Sequence, residues 1–105
     1  MKKYLVVAVA GLTLAIAGQA HADSAQGKEL FLTGAKPVAC AVCHTLADAG
    51  SAGAIGPDLD ELKPSKAQIL KVMQEGMGAM PSFAATLSDD ERNAVADYVN
   101  SVAGK

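Results

Sequence analysis

The chain of 105 residues sets nine Lys and Arg against eleven Asp and Glu, a formal net charge of −2, and half of its residues are hydrophobic. That length permits one domain, and the absence of a basic excess excludes the phosphate-binding face of a nucleic-acid protein. With two Phe, two Tyr and no Trp, so small a core calls for a staple such as a disulfide, a metal or a cofactor.

The N-terminus reads as an export signal. Met1-Lys2-Lys3 is a short basic start, and Leu5 to Ala17 is an uncharged apolar run shorter than the roughly 20 residues that span a bilayer. Ala20-His21-Ala22 gives the small-x-small cleavage pattern. The expectation is a signal peptide over residues 1–22, cleaved after Ala22, and a periplasmic domain over 23–105 with no membrane span after processing. An uncleaved anchor is the competing reading, disfavoured because no longer apolar stretch or charged stop follows. The mature chain keeps seven basic and eleven acidic residues, a net charge near −4.

A first helix is predicted from near Ser24 or Ala25, with Gly27, Leu30, Phe31 and Gly34 on one face at i, i+3, i+4 and i+7. Glycine weakens a helix, so Gly27 points to a close crossing with another helix. Then comes Cys40-Ala41-Val42-Cys43-His44, a C-x-x-C-H pentad and the attachment pattern of c-type haem. Its two thiols can add across the haem vinyl groups while His44 reaches the iron. Structural zinc wants four ligands, but His21, the only imidazole besides His44, lies in the signal. A thioredoxin-like dithiol needs a βαβ setting that no strand pattern supplies, and a plain disulfide between Cys40 and Cys43 is the remaining alternative. The pentad is predicted to open a helical turn running toward Ala47, followed by an irregular loop over 49–57. No alternation is long enough to argue for a sheet.

Ser65 and Gln68 form a capping box for a helix whose apolar face is Ile69, Leu70 and Met73, and which Gly76 stops. Ser88 and Glu91 form a second box, ahead of Ala94, Val95, Tyr98, Val99 and Val102 on one face. Tyr98 is predicted to pack on Gly27 and Phe31. No histidine follows His44, which excludes bis-histidine ligation within one subunit. Of three candidate methionines, Met73 shares the core face of its helix. Met77 and Met80 lie in the following loop, and Pro81 biases Met80 toward an extended conformation that can aim its sulfur at an iron.

Five segments together resemble the small monohaem class I cytochromes c, in the bacterial group that includes cytochromes c5, c6 and c552-like proteins. They are Gly27-x-x-x-Phe31, the pentad, Ile55-Gly56-Pro57-Asp58-Leu59, Gly78-Ala79-Met80-Pro81-Ser82-Phe83 and Leu87-Ser88-Asp89-Asp90-Glu91, and the resemblance spans nearly all of residues 25–103. It implies an all-α fold of three to five helices around one haem c. Cys40 and Cys43 would bear the thioethers, His44 would be the proximal ligand, the Pro57 carbonyl would accept from its imidazole, and Met80 would be the distal ligand. The competing reading of Pro57 is a plain turn.

His/Met ligation raises the potential relative to bis-histidine sites and fills both axial positions. The implied function is therefore a periplasmic one-electron carrier and not an enzyme. CAVCHTLADAG, IGPDLDEL and MPSF are similar to the cytochrome subunits or partners of periplasmic sulfite dehydrogenases. The implied donor is such a dehydrogenase, and the acceptor a terminal oxidase or another redox protein. Residues 37–47, 49–57 and 76–87 carry no charged side chain, either as a docking rim around Ala41, Val42, Met77, Gly78 and Ala79 or because they pack on haem. A haem-based ligand sensor and a tightly bound subunit of an oxidoreductase are the alternative functions.

Overall fold

The computed structural model describes residues 3, 4, 10, 11 and 19–105, with the side chains of 19–23 left aside. Most of the expected signal segment therefore lies outside the described residues. Among the described residues five α-helices carry the fold, within the three to five expected, joined by short connections: α1 (Gln19–Glu29), α2 (Cys40–Cys43), α3 (Leu59–Leu62), α4 (Lys66–Glu75) and α5 (Asp89–Val102). Among the described residues no helix is long and apolar enough to cross a membrane.

Helices α1 and α5 cross at Gly27. A Cβ there would lie 2.2 Å from the Ala94 carbonyl oxygen and 2.7 Å from Tyr98 Cβ, so only a hydrogen lets the two backbones approach this closely. One turn further on, the Phe31 and Tyr98 rings meet edge to face, with centroids 6.1 Å apart. Both are fully buried, with Leu46, Val95 and Val99. The predicted meeting of the first and last helices is borne out.

The face of α1 does not continue as predicted. A π-helical turn over Leu30–Gly34 follows it, closed by Ala35 N–H donating to the Leu30 carbonyl at 3.1 Å. The wider turn inserts a residue into the register, so Ala35 is buried where Gly34 was expected, and Gly34 is exposed. The helix also begins earlier than Ser24, at Gln19.

A second correction concerns the pentad. Helix α2 ends at Cys43 instead of running toward Ala47, and His44 is extended (φ −115°, ψ 140°). Thr45–Leu46 (β1) and Ser51–Ala52 (β2) pair antiparallel, turned by a short 3₁₀ stretch and by Gly50 at φ 64°. Side chains reinforce this small ladder: Thr45 Oγ1 donates to the Gly53 carbonyl at 3.0 Å and Ser51 Oγ to the His44 carbonyl at 2.9 Å. The loop expected over 49–57 thus holds a strand.

Both capping boxes form as predicted, at Ser65 with Gln68 and at Ser88 with Glu91. Helix α4 buries Ile69 and Met73 and stops at Gly76 (φ 73°). Helix α3 was not anticipated. Asp58 caps it, Oδ1 accepting from the N–H groups of Asp60 at 2.9 Å and Glu61 at 3.4 Å.

Candidate functional site

One turn of helix puts Cys40 and Cys43 on the same side, three residues apart, and both stand as free thiols. Burial, above all, pushes the Cys40 thiol up to about 11, with the neighbouring Cys43 adding to the effect. His44 leaves α2 in extended backbone, which turns its imidazole back toward the loop that ends in Pro57.

There the His44 Nδ1 sits 2.7 Å from the Pro57 carbonyl oxygen. A carbonyl only accepts, so Nδ1 donates here, and in the neutral imidazole Nε2 is then the nitrogen with the lone pair that a metal ligand requires. The loop can come this near because residue 56 is glycine. A Cβ at Gly56 would lie 2.6 Å from His44 Cε1 and 2.9 Å from Nδ1. Gly56 N–H also donates to the Cys43 carbonyl at 2.7 Å, tying the loop to the end of α2.

Another wall is built from the segment after α4. Met77 and Met80 exchange backbone hydrogen bonds of 3.0 and 2.9 Å around a tight turn. Two further bonds return the chain to α4, Phe83 N–H to the Met73 carbonyl and Ser82 Oγ to the Gln74 carbonyl, both 2.7 Å. Arg92, a buried residue at 8% exposure, donates from its guanidinium to the carbonyls of Phe83, Ala84 and Leu87 and pairs with Asp89. Met80 packs partly buried against the core, whereas Met77 is 74% exposed and Met73 lies in the core as predicted.

Between these walls lies a cavity of about 480 Å³, within the roughly 300–1,000 Å³ of cofactor sites. Cys40, Cys43, His44, Pro57, Met80 and Phe83 line it, and Phe31, Val95 and Val99 also reach it. Among the described residues no Asp, Glu, Lys or Arg borders it. Its shape and chemistry fit a haem: two thiols for covalent anchoring, an imidazole with its Nε2 lone pair free, a thioether and an apolar box. Among the described residues no three His, Cys, Asp or Glu side chains converge as a cage for a bare metal ion.

Sequence reasoning had no reading of Arg92 beyond its helix, nor of the contact between Tyr98 and Asp48. The Tyr98 hydroxyl donates to Asp48 Oδ2 at 2.6 Å, and Lys28 Nζ lies 3.5 Å from the same oxygen. The 3₁₀ stretch beyond the pentad is thereby fastened to α5 and α1. Burial foremost, then the Asp48 carboxylate, raises the Tyr98 pKa well above its ordinary value.

Four matches to known proteins bear on this arrangement. The family profile described as "Cytochrome C oxidase, cbb3-type, subunit III" matches residues 22–99. The solved structure of the c-type cytochrome SorU from Sinorhizobium meliloti superposes with a TM-score of 0.76 at 47% identity, covering 81% of this chain and 95% of that one. Cytochrome c6 of Tetradesmus obliquus is 36% identical over 88 residues, 74% of this chain and 89% of its own. The cytochrome c subunit of 4-cresol dehydrogenase (hydroxylating) from Pseudomonas putida is 36% identical over 108 residues, 97% of this chain and 86% of its own.

Proposed function

The chain belongs to the c-type cytochromes, electron-transfer proteins that carry covalent haem c, and on that premise we propose a periplasmic one-electron carrier with His44 and Met80 as its axial ligands. Cys40 and Cys43 bear the thioethers and the signal is cleaved after Ala22. The observation that carries this reading is the His44 to Pro57 hydrogen bond at an apolar cavity that Met80 also lines.

When bound, the haem supplies an iron couple that exchanges one electron; the chain's residues set how it does so. The Pro57 carbonyl fixes the imidazole orientation and makes Nε2 a stronger donor. Met80 would supply a weak thioether donor that favours the reduced state and keeps small molecules off the iron. The charge-free lining keeps water and ionic groups away.

The rim gives the carrier a docking surface. Ile55, Leu62 and Met77 are 72, 57 and 74% exposed and also line the cavity, and Val42 is 56% exposed on α2. Ile55 and Leu62 extend the apolar patch predicted around Ala41, Val42, Met77, Gly78 and Ala79. A periplasmic sulfite dehydrogenase is the proposed donor, on the resemblance of the pentad, IGPDLDEL and MPSF segments. A second reading, a permanently bound enzyme subunit, is favoured by the relative named as a cytochrome c subunit. Co-purification with a larger catalytic protein at high salt distinguishes that subunit from a shuttle.

Axial ligation is tested by paired variants of the haem-loaded protein. Met80→Ala should abolish the methionine-to-iron charge-transfer band and admit exogenous ligands, with a lower potential where a stronger donor enters. Met77→Ala should do neither, and the reverse result would assign the ligand to Met77.

A further inference from the structure

The segment Asp58-Leu59-Asp60-Glu61-Leu62 sits immediately after the carbonyl that meets His44. Asp58 caps α3 through Asp60 N–H and Glu61 N–H. Capping fixes the Asp58 backbone at φ −67°, and this torsion orients the peptide plane whose oxygen is the Pro57 carbonyl.

Asp60 then holds the turn in place from two directions. Its Oδ2 accepts from Ala47 N–H at 2.8 Å, three residues past His44, and its Oδ1 accepts from Gly104 N–H at 2.8 Å, beyond the end of α5. Gly104 suits this place, since its φ of 73° strains any side chain and a Cβ there would lie 2.9 Å from the Asp60 carbonyl oxygen. One carboxylate thus joins the strand leaving His44, the turn carrying Pro57 and the last helix. A four-residue helix has little stability of its own, so these side-chain bonds hold it.

We infer that Asp58 and Asp60 are positioning residues for the proximal imidazole: through α3 they hold the Pro57 carbonyl on His44 Nδ1–H and so set the donor strength of Nε2. This inference rests on the proposed role of His44. Loosening the clamp lengthens the Nδ1–H···O bond, weakens donation from Nε2, removes stabilisation from the oxidised state and raises the reduction potential.

The test uses the haem-loaded protein and two readouts, the reduction potential and the solvent-exchange rate of the His44 Nδ1 proton by NMR. Asp58→Ala and Asp60→Ala should each shift the potential upward and speed exchange roughly fivefold, the factor that corresponds to a lost helix cap. Asp58→Ser, which keeps a capping oxygen, should restore both. Ser88→Ala removes a comparable cap from α5, away from Pro57, and should lower stability while moving neither readout.

Wild-type potential and exchange in the two Asp→Ala variants, or equal shifts in Ser88→Ala, would overturn the inference. Should Asp58→Ala not accumulate, Asp60→Ala reads the same quantities and decides. A wild-type spectrum without histidine-ligated low-spin haem would instead overturn the functional reading beneath it.

Discussion

Replacing Gly27 by alanine probes the crossing on which the fold depends. The added methyl would stand 2.2 Å from the Ala94 carbonyl oxygen, 2.8 Å from its carbon and 2.7 Å from Tyr98 Cβ, against roughly 3.5 Å or more for ordinary contact. Two of the three atoms are α5 backbone, so no side-chain rotation relieves the clash. The helices must part by about 1 Å, disturbing the Phe31–Tyr98 contact. Overpacking of this severity costs about 3 kcal/mol, while the better helix propensity of alanine returns about 1 kcal/mol. The expected net loss is about 2 kcal/mol, a large share of the roughly 4–12 kcal/mol typical of a domain this size. Guanidinium unfolding of the haem-loaded protein, followed by far-ultraviolet circular dichroism and the Soret band, measures it. A Gly27→Ala protein as stable as the parent would refute the close crossing.

Tyr98→Phe should cost about 1 kcal/mol through the lost bond to Asp48. Because the folded protein raises the Tyr98 pKa, the tyrosine's contribution is complete below its unfolded value and lost as pH rises past about 10; the variant should show a flatter alkaline limb in its stability profile. Asp60 behaves oppositely: the Gly104 and then the Ala47 N–H groups lower its pKa, so its contribution is present above the ordinary carboxylate range and lost as pH falls below about 4. Acid titration of Asp60→Asn should therefore begin from lower stability and fall less steeply. At the rim, Val42→Glu or Ala79→Glu puts a charge where a partner must exclude water, and stopped-flow reduction by a sulfite dehydrogenase should slow about tenfold with the spectrum unchanged. Unchanged rates in both variants would reject this docking face.

Much of the fold was legible because its signals are local or periodic. Each capping box needs only a Ser and an acceptor three residues on, and the α5 stripe of Ala94, Val95, Tyr98 and Val99 repeats at the helical period. Gly27 could be read as a crossing because nothing else rewards glycine inside a helix. What was missed depends on distant partners. The π turn that buries Ala35 instead of Gly34 answers to packing, which no periodicity encodes. Helix α3 is too short to show a period, although Asp58 followed by two acidic residues is the composition of a capped first turn. The helix past Cys43 was overextended because the ladder that replaces it is two residues long and closes through side chains of Thr45 and Ser51. At the site, the pentad and the Gly56-Pro57 turn could be read directly, whereas the Arg92 cage and the Tyr98–Asp48 link join residues whose pairing only the folded chain displays.

The most direct test of the account is the visible spectrum of the exported protein taken together with its intact mass. The expected result is residues 23–105 plus one haem, a low-spin ferric spectrum with the methionine-to-iron charge-transfer band, and no rapid carbon monoxide binding in the ferrous state. A mass without haem, or a haem protein whose sixth position is open to carbon monoxide, would contradict it.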